Sequence, residues 1–188
     1  MKLTNIFLTG AIALPLFGLA ARLTSGLPQG TDVSAFAPYH VTGPDAGTVT
    51  CPVCKYGFEP GIQVWVHNIS DKNVSFLARN LEAQLEAKGM KKCRAFVVFV
   101  EPNSMSSAKI QAHLKMLGKE NHLKDLALIY VRSNDSSLKH YQINLSPAVK
   151  STLIAYHQRK TVDNVLNIPA SKAGVREINR AVSLAING

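Results

Sequence analysis

The chain has 188 residues, of which 46% are hydrophobic and 18% are charged, and its formal net charge is +9. This length allows one substantial hydrophobic core and a single domain once the chain ends are set aside. The charge does not indicate a nucleic-acid-binding protein, because Lys and Arg are spread along the chain and form no nucleic-acid-binding motif. An anionic membrane surface or an acidic protein partner fits the same charge.

The first 20 residues are typical of an export signal. Lys2 gives a positively charged start, an apolar run follows from Ile6 to Ala21, and Gly18-Leu19-Ala20 offers the small residues that a signal peptidase recognises. The run is shorter than the roughly 20 residues that span a membrane comfortably. We therefore predict a signal peptide over residues 1–20, with an uncleaved N-terminal anchor as the alternative. The protein is expected to be periplasmic or secreted, or else tethered by its N-terminus.

Residues 21–47 form a segment rich in Gly, Pro, Thr, Ser and Asp, without a sustained hydrophobic period. This composition predicts a linker or an extended arm. The domain itself is expected over residues 48–188. Part of the arm is expected to lie against that domain, because three of its apolar residues would otherwise be idle surface: Phe36, Tyr39 and Val41.

A strand and a helix over residues 61–89 organise the domain. The run from Ile62 to Val66 is continuous and rich in β-branched residues, which predicts a strand buried on both faces. Ser70 or Asp71 offers an N-cap oxygen for a helix, and Gly89 suits its left-handed C-cap. Between these caps, apolar residues at spacings of three and four form the stripe of an amphipathic helix: Val74, Leu77, Leu81 and Leu85.

Two further apolar runs, over residues 94–100 and 126–131, predict two more buried strands. Helix-length crossovers join the three strands, so we expect them to run parallel. The second crossover is expected to begin at Ser106 or a neighbouring Ser. Its apolar residues share one helical face: Ile110, Leu114 and Leu117.

The C-terminal part of the chain predicts a hairpin followed by a helix. Residues 152–157 and 161–166 are β-prone runs around a short polar turn. Ser171 is placed to cap the last helix. The expected fold is therefore α/β, with a mixed sheet in the order βαβαβ and then ββα, flanked by helices.

This element order, together with the CxxC pair formed by Cys51 and Cys54, resembles the thioredoxin-like superfamily over about residues 48–187. More narrowly, VTGPDAGTVTCPVCKYG ahead of a strand is similar to exported bacterial thioredoxin-like proteins that carry a Cys pair before their first strand. The resemblance implies the fold more directly than it implies an activity.

The sequence departs from the thioredoxin pattern at two places. In thioredoxins the CxxC pair follows the first core strand, at the N-terminus of a helix, whereas residues 67–71 here are HNISD. That helix terminus lowers a thiol pKa, so a pair elsewhere lacks its help. The proline that is cis in thioredoxins corresponds to Ser151-Thr152, with Pro147 several residues upstream. Both departures count against a redox site at the usual thioredoxin position.

Cys51 and Cys54 are the candidate catalytic residues. As a dithiol, Cys51 is expected to attack and Cys54 to resolve, with Lys55 favouring the thiolate and Pro52 setting the turn. The alternative is a static disulfide that holds the arm on the domain. The predicted function is thiol–disulfide exchange with a protein partner. The alternative function is a non-catalytic thioredoxin-fold accessory subunit at the membrane surface, within a membrane-associated complex.

A zinc or copper site is a further alternative for the pair, and it requires a third ligand such as Cys93, His40 or His67. Cys93 is otherwise expected to be a buried free thiol. His67 is expected to be a hydrogen-bonded strand-end residue rather than a catalytic base. CPVCK also lacks the His of a c-type haem site, and we predict no bound cofactor or metal.

Overall fold

The computed structural model of the protein describes residues 23–67, 73–89 and 92–188. The predicted signal segment, residues 1–20, lies outside the described residues, and so do the helix-capping candidates Ser70 and Asp71. Within the described ranges, no helix is both long enough and apolar enough to cross a membrane.

Strands and helices alternate through the described part of the chain. The strands are β1 (Tyr39–His40), β2 (Gly61–Val66), β3 (Arg94–Glu101), β4 (Ala127–Arg132), β5 (Thr152–His157) and β6 (Lys160–Leu166). The helices are α1 (Pro52–Tyr56), α2 (Asn73–Lys88), α3 (Ser107–Glu120), α4 (Ser137–His140) and α5 (Lys172–Asn187).

All of these strands belong to one six-stranded sheet in the order β1-β4-β3-β2-β5-β6. Strands β2, β3 and β4 are parallel, because α2 and α3 cross between them. The hairpin of β5 and β6 adds antiparallel beside β2, and the short β1 pairs antiparallel with β4. The predicted α/β fold, with βαβαβ and then ββα, is confirmed.

The central strands divide the interior into two cores. Ile62, Val64 and Val66 of β2 pack with the apolar faces of α2, α3 and α5, whereas Trp65 points to the other face of the sheet. That other face is covered by the arm and the two short helices instead of by a long helix. The residues that cover it are Leu27, Val33, Phe36, Val53, Tyr56, Leu138 and Tyr141.

Hydrogen bonds hold the arm on this second core. The hydroxyl group of Tyr141 donates to the main-chain oxygen of Ser34 at 2.5 Å. The same hydroxyl accepts from Gln63 Nε2 at 3.4 Å, and Gln63 Oε1 accepts from Trp65 Nε1 at 3.1 Å. The Phe36 ring lies 5.3 Å from the Trp65 ring. The buried polar groups of Tyr141, Gln63 and Trp65 thus partner one another and the arm.

Two positions of the fold require glycine, one for steric and one for conformational reasons. A Cβ atom on Gly61, the first residue of β2, would lie 2.1 Å from Cζ of the fully buried Tyr156. Gly89 ends α2 with a φ of +83°, so the predicted left-handed C-cap is confirmed. The predicted cap of α3 is also confirmed, since Ser106 Oγ accepts from the main-chain N–H of Lys109 at 3.3 Å.

Candidate functional site

Cys51 and Cys54 form a disulfide, with their Cα atoms 5.2 Å apart. Cys54 is exposed and Cys51 is partly buried. Cys51 is the N-cap of the short helix α1, where its sulfur accepts the main-chain N–H of Cys54 at 3.0 Å. Pro52 follows at the first helical position, where its fixed φ and missing N–H cost nothing. The cysteine pair therefore lies on one turn of helix.

The disulfide lies at the amino ends of the parallel strands. Helix α1 leads into Gly61 at the start of β2, and the guanidinium of Arg94, at the start of β3, lies 4.4 Å from the Tyr56 ring. His67 follows the last residue of β2, about 20 Å further along the strand direction. The pair thus lies at the amino ends of the parallel strands, whereas thioredoxins carry their CxxC pair at the carboxyl ends.

Lys55, beside the disulfide, forms an ion pair with Asp45. The Lys55 ammonium is bound to the Asp45 carboxylate, which also accepts from the Tyr56 hydroxyl at 2.9 Å. Burial acts to raise the pKa of Asp45, but the hydrogen bonds from Lys55 and Tyr56 outweigh it and hold that pKa below its ordinary value. The hydrogen bond to Asp45 raises the pKa of Lys55. Because Asp45 balances its charge, Lys55 stabilises a cysteine thiolate less than the sequence alone implies.

His40 fixes the backbone that enters the disulfide. Its side chain is fully buried, and Nε2 donates to the main-chain oxygen of Thr50 at 2.9 Å. Burial lowers the pKa of His40, outweighing the opposite effects of this hydrogen bond and of Asp45. A neutral His40 thus holds the residue directly before Cys51.

Cys93 is a buried free thiol, as predicted. Only 1% of its surface is exposed, and burial raises its pKa to about 12. Its thiol is therefore protonated at neutral pH and is a poor nucleophile. Among the described residues, no three His, Cys, Asp or Glu side chains are grouped so that they could hold a metal ion. Neither Cys93 nor His40 or His67 supplies the third ligand that a zinc or copper site requires.

His67 and two adjoining cavities lie at the carboxyl ends of the parallel strands. The cavities have volumes of about 260 and 200 Å³. His67 Nε2 donates to the main-chain oxygen of Val149, so His67 is the hydrogen-bonded strand-end residue that the sequence predicts. Leu145 lines both cavities with His67, and no cysteine lines either of them. No peptide bond in the described part of the chain is cis, including the one between Ser151 and Thr152, which corresponds in sequence to the cis proline of thioredoxins.

Sequence reasoning missed three residues that surround α1. Asp45 binds Lys55, Arg94 lies over the Tyr56 ring, and the main-chain N–H of Arg159 donates to the oxygen of Gly57 at 2.8 Å. They come from the arm, the start of β3 and the β5–β6 turn, so no local pattern marks them as neighbours. Only the tertiary fold brings them to the disulfide.

No protein-family model matches the chain, and no curated protein matches it. Several solved structures do match it in fold. An uncharacterised conserved protein from Geobacillus kaustophilus superposes with a TM-score of 0.64 at 14% identity, covering 86% of this chain and 83% of its own. A structure assigned to a thiol:disulfide interchange protein, DsbE, from Chlorobium tepidum superposes with a TM-score of 0.63 at 9% identity, covering 85% and 99%.

The thioredoxin domain of a thiol-disulfide oxidoreductase from Bacteroides vulgatus superposes with a TM-score of 0.57 at 11% identity, covering 83% of this chain and 99% of its own. Identities this low carry the fold and not the activity. The chain has the thioredoxin-like fold, with its CxxC pair, Cys51 and Cys54, placed ahead of the first core strand.

Proposed function

We propose that this protein exchanges thiols and disulfides with a protein partner through Cys51 and Cys54. The observation that carries the proposal is the position of the disulfide at the surface, with Cys54 exposed and the Cys51 sulfur on a helix N-cap. A structural disulfide is usually shielded, whereas an exposed one is open to attack by an incoming thiolate.

In the reduced protein, the Cys51 thiolate attacks one sulfur of a partner disulfide. A mixed disulfide forms, and the partner's other sulfur leaves as a thiolate. The Cys54 thiolate then attacks the Cys51 sulfur, reforms the Cys51–Cys54 bond and releases the partner's second thiolate. The partner gains two electrons and two protons, and the reverse sequence reduces this protein. The Cys54 N–H, at 3.0 Å, supports the Cys51 thiolate through a charge-assisted hydrogen bond.

The surroundings of the pair give this thiolate modest activation. Helix α1 has five residues, so its macrodipole is weak, and the Lys55 charge is shared with Asp45. We therefore expect slower exchange than a CxxC pair achieves at the N-terminus of a long helix.

The fold is expected to survive reduction of the pair, which a catalytic cycle requires. A disulfide closing so short a loop contributes about 2 kcal/mol in the chain-entropy relation. A domain of this size has a free energy of unfolding of roughly 5–15 kcal/mol. Two cores, which do not depend on the disulfide for most of their packing, remain to hold the sheet.

Export is the second part of the proposal, and it rests on the predicted signal peptide over residues 1–20 and on an oxidised pair, which suits an oxidising compartment. The site of action is then the periplasm or the exterior, with an N-terminal tether to the membrane surface as the alternative. N-terminal sequencing of the protein purified from whole cells, with its membranes included, decides between them. A mature chain beginning near Ala21 supports cleavage, and a chain that still begins at Met1 supports the tether.

Insulin reduction with dithiothreitol as the electron source tests the exchange activity. We expect the wild-type protein to accelerate insulin precipitation and Cys51→Ser to lose that acceleration. Cys93→Ser is the matched control and is expected to keep it, because the Cys93 thiol is buried and protonated. Equal activity of the wild type and Cys51→Ser would contradict the proposal.

The second candidate function is a non-catalytic accessory subunit whose disulfide is structural. One observation favours it: Val53 and Tyr56, on the helix that the disulfide closes, pack in the same core as Phe36 of the arm. The disulfide then serves to hold the arm and the short helix together. Loss of the near-ultraviolet circular dichroism of the aromatic core on reduction would support this role against the catalytic one.

A further inference from the structure

Two exposed apolar side chains flank the disulfide. Val49 is 63% exposed and Phe58 is 71% exposed, and no other large hydrophobic residue in the described ranges is exposed as much. Val49 precedes Cys51 by two residues, so their Cα atoms are at most about 7 Å apart, and Phe58 follows Cys54 within about 14 Å. Apolar surface of this kind beside a reactive group is typical of a contact surface for another protein.

The guanidinium of Arg159 lies on the ring of Phe58. The Arg159 guanidinium is 4.6 Å from the centre of the Phe58 ring, and Arg159 makes no ion pair within the described part of the chain. Arg159 is half-buried and its Nε has no hydrogen-bond partner among the described residues, so its charge lacks a counterion that a carboxylate of another protein could supply. Three neighbouring cations are already paired with acidic residues: Lys55 with Asp45, Lys160 with Asp32 and Arg94 with Glu59.

The backbone that presents Arg159 is strained. Gln158 and Arg159 form the tip of the β5–β6 hairpin with φ values of +47° and +65°. Gly and Asn are the usual residues in such a turn, because a side chain larger than theirs is disfavoured there. From this turn the Arg159 side chain lies against Gly57 and Phe58. Strained residues beside a candidate site support a role beyond folding.

We infer that Phe58 and Arg159 form a docking surface for a segment of a dithiol protein that carries carboxylates beside its cysteines. This inference rests on the proposed exchange function and names the partner of that same site. A carboxylate fits the planar guanidinium of Arg159, and the net charge of +9 steers an acidic segment toward the protein. An apolar side chain of the segment packs on Phe58.

The docked segment reduces the disulfide in two steps. Its first thiolate attacks the Cys51 sulfur and displaces Cys54 as a thiolate. Its second thiolate attacks the mixed disulfide and displaces Cys51. The partner becomes a disulfide, and the Cys51–Cys54 pair gains two electrons and two protons.

Two synthetic peptides test the docking surface. Both carry the same CxxC core and one Leu, and they differ only in having Glu or Lys at the flanking positions. The rate constant for reduction of the Cys51–Cys54 disulfide is measured by acid quench, alkylation and mass spectrometry. Each value is divided by the rate of the same peptide with 2-hydroxyethyl disulfide, which removes differences in thiol reactivity. At low ionic strength we expect the Glu peptide to be about 10-fold faster, with the gap narrowing as salt is added.

Matched variants assign the preference to this surface. Arg159→Gln is expected to abolish the preference for the Glu peptide, whereas Arg176→Gln on α5, with the same change in net charge, is expected to keep it. Phe58→Ala is expected to slow the Glu peptide several-fold, whereas Met116→Ala, which truncates another exposed apolar residue, leaves its rate unchanged. The rate of reduction by dithiothreitol is measured for the wild type and every variant, and each peptide rate is divided by it, which removes any change in the intrinsic reactivity of the disulfide.

The outcomes separate the two proposals. Equal rates for the Glu and Lys peptides, or a preference that survives Arg159→Gln, would overturn the docking surface alone. A disulfide that resists dithiothreitol and both peptides in the folded protein would overturn the exchange function, and the docking surface with it.

Discussion

The ammonium group of Lys55 is bound to the carboxylate of Asp45, ten residues earlier in the chain. The pair lies one residue from Cys54, so the cation closest in sequence to the disulfide is already neutralised by an anion. The charge of Lys55 is therefore balanced by Asp45 when the Cys51–Cys54 pair is reduced.

Asp45→Asn is expected to make the reduced pair more reactive. Removing the carboxylate leaves the Lys55 charge free, and a nearby cation favours the thiolate. We expect the rate of alkylation by iodoacetamide at pH 7 to rise several-fold over that of the reduced wild type. Asp32→Asn is the control, since Asp32 pairs with Lys160 on the exposed surface. Equal rates for wild type and Asp45→Asn would mean that Lys55 does not act on the thiols.

The same carboxylate predicts how stability depends on pH. The folded-state pKa of Asp45 lies below its ordinary value, so its contribution to the free energy of unfolding is present above the unfolded-state pKa and is lost as pH falls through the folded-state pKa. We expect the stability difference between wild type and Asp45→Asn to shrink from about pH 6 to about pH 3, as measured by urea unfolding. A difference that stays constant over this range would show that folding does not change the pKa of Asp45, and a difference that grows as pH falls would show that folding raises it.

Glu82 is expected to stabilise the connection between α3 and β4. The side chain is 5% exposed, and its carboxylate accepts from the main-chain N–H groups of Lys124, Asp125 and Leu126 at distances between 2.8 and 3.3 Å. Glu82→Ala leaves buried donors unpaired and is expected to cost about 3 kcal/mol in urea unfolding. Glu86→Ala, which removes only an exposed ion pair with Lys124, is expected to cost less than about 1 kcal/mol. Similar losses in both variants would contradict this role.

We propose that the folding unit extends from residue 23 rather than from residue 48. Leu27, Val33 and Phe36 fill the second core, and Tyr141 is bonded to Ser34. A chain that begins at residue 48 exposes that face of the sheet and is expected to lose cooperative thermal unfolding. A chain that begins at residue 23 is expected to retain it. Cooperative unfolding of both chains at similar temperatures would show that the arm is dispensable.

The sequence predicts the central sheet because its strands are continuous apolar runs and its crossovers have helical periodicity. Gly89 and Ser106 mark helix ends through residue types that suit those positions, and both predictions are confirmed. These features are local, so a single sequence contains them. The length of the crossovers predicts that the strands they join run parallel.

The arrangement around the disulfide could not be predicted from the sequence in the same way. Helix α1 is a single turn, too short for any hydrophobic period, and only Pro52 after a residue with a capping side chain hints at it. Strand β1 has two residues and depends on pairing with β4. The contacts of Asp45 and Arg159 with the α1 region join distant parts of the chain, which local patterns do not encode.

Titration of the folded protein against glutathione tests the central claim most directly. The oxidised fraction of Cys51 and Cys54 is measured by alkylation and mass spectrometry, while near-ultraviolet circular dichroism follows the fold. We expect full interconversion with a midpoint between about −270 and −120 mV, the range of exchange-active pairs, with the aromatic signal unchanged. A pair that stays oxidised below about −300 mV, or a fold that is lost as the disulfide opens, would contradict the account.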